Sequence, residues 1–96
     1  MSYRAVLGIR AQADLRAMPT AVARFTLAQI RNLAASPAAL SRRAALPFFE
    51  QSQVCNFDYP WEGQLYVVNV MFTYADDEDR LLIGDVLWEV KPDLWP

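Results

Sequence analysis

Gln64-Leu65-Tyr66-Val67-Val68-Asn69-Val70-Met71-Phe72-Thr73-Tyr74 decides the fold. Its even positions, Tyr66, Val68, Val70, Phe72 and Tyr74, are all apolar or aromatic. A period of two over so long a run predicts a strand with one face on the core. Just upstream, residues 54–59 alternate Cys55, Phe57 and Tyr59 with Asn56 and Asp58, a second strand. Pro60-Trp61-Glu62-Gly63 supplies the turn between them, with Gly63 free to take a positive φ. Downstream, Ala75-Asp76-Asp77-Glu78-Asp79 reads as a polar hairpin tip. Residues 80–91 then form a third strand, with Leu82, Val86, Trp88 and Val90 expected on one side and Asp85 and Glu89 on the other. The tail 92–96 begins and ends in proline and cannot pair as a central strand.

The N-terminal half has a different rhythm. Tyr3, Ala5, Leu7 and Ile9 alternate with Ser2, Arg4, Gly8 and Arg10, which predicts one strand of period two. Residues 11–17 are rich in Ala, Leu and Arg and read as a short helix. Pro19 suits the first turn of a second helix, residues 19–35. At 100° per residue Val22, Phe25, Leu27, Ile30 and Leu33 share one arc, and Arg24 and Arg31 fall opposite. Ser36-Pro37 ends that helix, because a residue before proline is pushed out of the α region. Residues 38–46 offer one or two further helical turns, closed by Pro47. The expected architecture is α+β, in the order β-α-α-β-β-β, with two helices packed on one face of a mainly antiparallel sheet. The whole of 1–96 reads as a single domain.

Composition narrows the chemistry. The chain has no histidine and one cysteine, Cys55. Histidine-based triads, His-ligated zinc and an internal disulfide are thereby excluded. Only three glycines are present, and none belongs to a phosphate-cradling loop. No apolar run reaches the length of a membrane span or of a signal peptide's hydrophobic region, so a cytoplasmic protein is expected. Charge is unevenly spread: residues 1–46 hold seven Arg against one Asp, and 47–96 hold two basic residues against ten acids. Such a split fits either a basic surface for an acidic partner or basic helices lying over an acidic sheet.

Several residues are candidates for function. Arg24, Arg31, Arg42 and Arg43 can form a basic track for nucleic acid or another target. The competing reading is a solvated helix face, and the acidic pI of about 4.9 weighs towards it. Asp76, Asp77, Glu78 and Asp79 gather carboxylates but lack the alternating spacing and placed glycine of a calcium loop, so no metal site or cofactor is expected. Tyr66, Phe72 and Tyr74 fit either a base-stacking platform or, better by their spacing with Val68 and Val70, the core face. Trp61, Trp88 and Trp95 are numerous for so short a chain and are candidates for a protein–protein interface. Cys55 is expected to be a small buried hydrophobe.

The order and lengths of these elements resemble the RelE/ParE toxin superfamily. Asp14-Leu15-Arg16-Ala17-Met18-Pro19 is similar to the family's junction between its two helices, and Ile30-Arg31-Asn32-Leu33 with Ser36-Pro37 and Leu46 to its second helix and exit. Gly63-Gln64-Leu65-Tyr66-Val67-Val68 stands where the family opens its third strand, and Asp79-Arg80-Leu81-Leu82-Ile83 where it opens its fourth. The resemblance implies the toxin of a type II toxin–antitoxin pair, neutralised by an antitoxin. It implies action on mRNA in the ribosome or on DNA gyrase. The ribonuclease branch needs cations to stabilise charge at the reacting phosphate. Here Tyr66 occupies the family's Arg position, and Leu87, Trp88 and Glu89 stand where a basic or His residue is expected. Whether the chain is an enzyme is therefore open, with Tyr66 the candidate catalytic residue. The alternative is a non-catalytic protein-interaction domain on the same fold.

Overall fold

The computed structural model describes residues 3–37, 42–43, 53–75 and 79–92. In chain order the elements are β1 (Arg4–Leu7), α1 (Ile9–Ala17), α2 (Thr20–Ala35), β2 (Arg42–Arg43), β3 (Gln53–Trp61), β4 (Gln64–Ala75) and β5 (Arg80–Pro92). They form one mixed sheet in the order β1-β5-β4-β3-β2. β3, β4 and β5 are an antiparallel meander, and β1 lies parallel to β5, the last strand of the chain, at the sheet edge. The α+β architecture and the β-α-α-β-β-β order are those expected, with the two-residue β2 as an addition.

Both helices cover one face of this sheet. Ala11 and Leu15 of α1, Met18 between the helices, and Val22, Ile30, Leu33 and Ala34 of α2 pack on Val68, Val70 and Phe72 of β4 and Leu81, Ile83 and Val86 of β5. Alternation in β4 holds as predicted: Tyr66, Val68, Val70 and Phe72 all face the helices. On the opposite face Val54 and Met71 are cross-strand partners and are also buried. No helix among the described residues is long and apolar enough to cross a membrane.

The structure departs from the sequence expectations at five places, each with a local cause. Ile9 is not the last residue of the first strand but the first of α1, and it is 87% exposed. Gly8 ends β1 by donating its N–H to Ile83 O (2.9 Å), and its own carbonyl accepts from Gln12 N–H (3.0 Å), which starts the helix. On α2 the buried stripe includes Thr26, at 0% exposure, while Phe25 is only half-buried. Thr26 escapes a desolvation penalty because its hydroxyl donates to Val22 O at 2.9 Å within the same helix.

Arg42-Arg43, expected within a helical turn, pairs as β2 with Val54 and Gln53. The rest of 38–46 lies outside the described residues. Pro60 and Trp61 belong to β3 rather than to the turn, which shrinks to Glu62-Gly63.

The last departure is in β5. Met71 pairs with Asp85 and Phe72 with Ile83, which leaves Gly84 as an extra residue, a bulge. An extra residue flips the parity of a strand. Leu81 and Ile83 therefore face the core before the bulge and Val86 after it, while Leu82 is turned outward at 39% exposure. Asp14 of α1 supports the bulge: its Oδ2 accepts the Val86 N–H at 3.0 Å, across 72 residues of sequence. Replacing Asp14 by Ala should lower the unfolding free energy by about 1–3 kcal/mol, because the Val86 N–H loses its partner. Asn, which keeps an acceptor oxygen, should cost less. Urea unfolding of the two variants checks both values.

Candidate functional site

The site is built at the hairpin that joins β3 to β4. Trp61 pairs with Gln64, so only Glu62 and Gly63 form the loop, with φ of 50° and 74°. Two successive positive φ angles are those of a type I′ turn, whose twist matches that of the flanking strands. Glu62 sits in the left-handed region with a side chain poorly suited to it, and Gly63 suits it without cost. Exchanging Glu62 for Asn should raise stability by up to about 1 kcal/mol. Gly63→Val should lower it by about 1–2 kcal/mol from backbone strain. A Cβ at Gly63 meets nothing within 4 Å, so crowding adds nothing to that loss. Thermal melts of both variants test the pair of signs.

This tight turn fixes the strand register, and register sets the aromatic residues in rows. Tyr59 lies across from Tyr66, and Phe57 across from Val68, which in turn pairs with Trp88. Tyr66 stands between Trp61 (ring centroids 6.2 Å) and Trp88 (5.9 Å). From above, Phe25 of α2 stacks on Tyr59 at 4.4 Å and 25°, and meets Phe57 edge-on at 5.4 Å. The result is one aromatic surface on the helix side of the sheet, running from α2 to the hairpin. Tyr66 is its buried centre at 4% exposure, and Trp61 and Trp88 are half-buried beside it. Tyr66 Oη approaches Gln64 Oε1 at 3.5 Å, a long contact at the rim. Aromatic contacts of this kind each add about 0.5–1.5 kcal/mol beyond their buried area.

Other candidates are dispersed. Arg24 and Arg31 are both exposed on α2, two turns and about 10 Å apart along the helix. Neither makes an ion pair among the described residues. Seven residues apart, they lie within about 20° of one another on the same exposed face of α2. For Arg42 and Arg43 the pairing of β2 with β3 is the fact in hand. Trp95 and the acidic residues Asp76, Asp77 and Glu78 lie outside the described residues. No group of three or more His, Cys, Asp or Glu able to hold a metal ion is formed among the described residues.

Cys55 is buried, and burial raises its thiol pKa, which makes it a poor nucleophile. Among the described residues, Arg10 lies 3.9 Å from Asp85 and Lys91 3.5 Å from Glu89. The first pair, long and with an exposed Arg10, adds little to stability.

Phe25, Phe57 and Tyr59 were not singled out by the sequence as parts of this surface. Odd spacing put Phe57 and Tyr59 on one face, but only the register shows that this face meets Tyr66. Chemically the surface is largely apolar, with Glu62 and Gln64 exposed at the adjoining turn. Glu89 lies across from Val67 on the strand face opposite the Tyr66 row, so it does not reach the surface. Tyr66, at the family's Arg position, and Trp88, one of the three residues around the expected basic or His position, present neighbouring rings instead.

No family model matches the chain, and no curated protein matches it in sequence. Among solved structures, a chain of the toxin–antitoxin complex RelBE2 from Mycobacterium tuberculosis is similar, with a TM-score of 0.74. That likeness covers 93% of this chain and 93% of the other at 13% identity. It bears out the RelE-like fold anticipated from the order of elements.

Proposed function

We propose that this chain is the toxin-like component of a toxin–antitoxin pair, acting on translation or on DNA gyrase and held inactive by a partner antitoxin. The observation that carries the reading is the likeness to a chain of a toxin–antitoxin complex over 93% of both chains. The aromatic surface supports the partner half of it. Trp61 and Trp88 flank a buried Tyr66, and half-buried aromatic anchors around a packed centre are the usual makings of a protein-binding hot spot.

For the target half, Arg24 and Arg31 are exposed cations on α2 that can meet phosphate or an acidic surface. Arg42 and Arg43 extend that set in sequence. Phosphodiester cleavage requires positioned charge at the reacting phosphate. Aromatic rings at Tyr66 and Trp88 do not supply it, which favours a target that is bound rather than cut. The same feature favours a second reading, a non-catalytic interaction domain that shares the fold.

Purified protein added to a cell-free translation reaction and to a gyrase supercoiling reaction separates these readings. Loss of protein synthesis identifies the ribosome, and loss of supercoiling identifies gyrase. No inhibition in either, at protein concentrations well above those of ribosome or gyrase, would leave the interaction domain as the answer.

A further inference from the structure

Beyond Ile83, β5 has no strand on its outer side among the described residues: β1 pairs with it only from Arg80 to Ile83. The Val86 N–H, turned away from β4, is taken by Asp14. In an antiparallel strand alternate residues point both backbone groups to the same side, so Trp88 and Val90 also turn theirs outward, with no strand to receive them. Here lie Leu87, 48% exposed, and Val90, two of the few large exposed apolar residues of the molecule. Unpaired edges that expose apolar residues are templates for a further strand.

Charge selects the occupant. Glu89 and Lys91 lie on the same face of the edge, 3.5 Å apart, both well exposed. If a second copy of β5 is laid antiparallel with the two-fold axis at Val90, Glu89 of each copy falls opposite Lys91 of the other. Trp88 then falls opposite Pro92, and Val90 opposite itself. The Val90 N–H and carbonyl groups bond reciprocally, and the Trp88 N–H groups reach the Pro92 carbonyls. The outer edge of β3 offers no such match. It carries Pro60, which has no N–H to give, and Asp58 without a basic neighbour on the strand.

We propose that the outer edge of β5, from Trp88 to Pro92, is a self-complementary dimerisation edge that joins two sheets into one through a two-fold axis at Val90. This edge adjoins the aromatic surface at Trp88, of which it uses only the backbone, and its test does not depend on a toxin role. Sedimentation equilibrium of the full chain over a wide concentration range should show a reversible monomer–dimer transition. Glu89→Lys and Lys91→Glu should each weaken it about tenfold or more, because each change places like charges opposite one another twice per dimer. The double exchange should restore it.

Val90→Pro should abolish the dimer while the monomer keeps its circular dichroism spectrum, because the lost N–H faces outward and not towards β4. A monomer at every concentration would overturn the proposal. So would a dimer indifferent to Val90→Pro and to the charge reversals.

Discussion

Phe72→Ala is expected to lower the free energy of unfolding by about 3–5 kcal/mol, more than any other single truncation considered for this chain. Phe72 is 1% exposed and is the largest of the fully buried side chains among the described residues. It sits beside the β5 bulge, paired with Ile83, and its ring meets Tyr74 edge-on at 5.7 Å. Truncation removes apolar area from the core and leaves a cavity that a close-packed interior only partly refills. Domains of this size hold roughly 5–15 kcal/mol in total, so the variant should be largely unfolded on mild warming. Denaturant unfolding followed by tryptophan fluorescence measures it. A loss below about 1 kcal/mol would mean that the core is not packed around β4 as described.

On the proposed toxin–antitoxin reading, joint replacement of Trp61 and Trp88 by Ala is expected to weaken partner binding by about 2–4 kcal/mol, thirtyfold to nearly a thousandfold, while the fold survives. Both rings are half-buried, so their removal takes away contact area at the rim of Tyr66 and leaves the centre of the core intact. Titration calorimetry of the wild-type and variant proteins against a candidate antitoxin measures the change. A change below twofold, with the variant still folded, would place the antitoxin elsewhere. Arg24→Ala serves as a contrast, because Arg24 is exposed on α2 and contributes no ring to that surface.

The sequence carried the fold well where one rhythm dominated. The run from Gln64 to Tyr74 announced β4 and its inward face, and the spacing from Val22 to Leu33 announced α2. β5 was harder to read for a physical reason. Leu81, Leu82 and Ile83 are consecutive apolar residues, so alternation does not say which of them faces inward. The bulge at Gly84 then reverses the parity beyond them.

Ile9 misled in a similar way, since period two continues through Gly8 while the backbone has already turned into a helix. Asp14 could be placed in the helix junction, but its bond to Val86 depends on how α1 lies on the sheet. The candidate site was legible as a set of aromatic types and not as a constellation. Tyr59 and Tyr66 become neighbours only once a two-residue turn fixes the register, and Phe25 joins them only through helix packing. Among the described residues the uneven charge has a plain geometric counterpart, with arginines on β1, α1, α2 and β2 and most acids in the β3–β5 meander and its turns.

The most direct measurement is the growth of a host cell in which this chain alone is expressed from a tightly controlled promoter. A toxin-like role predicts arrest soon after induction, relieved when the adjacent gene's product is co-expressed. Normal growth with the protein soluble, folded and abundant would contradict that role.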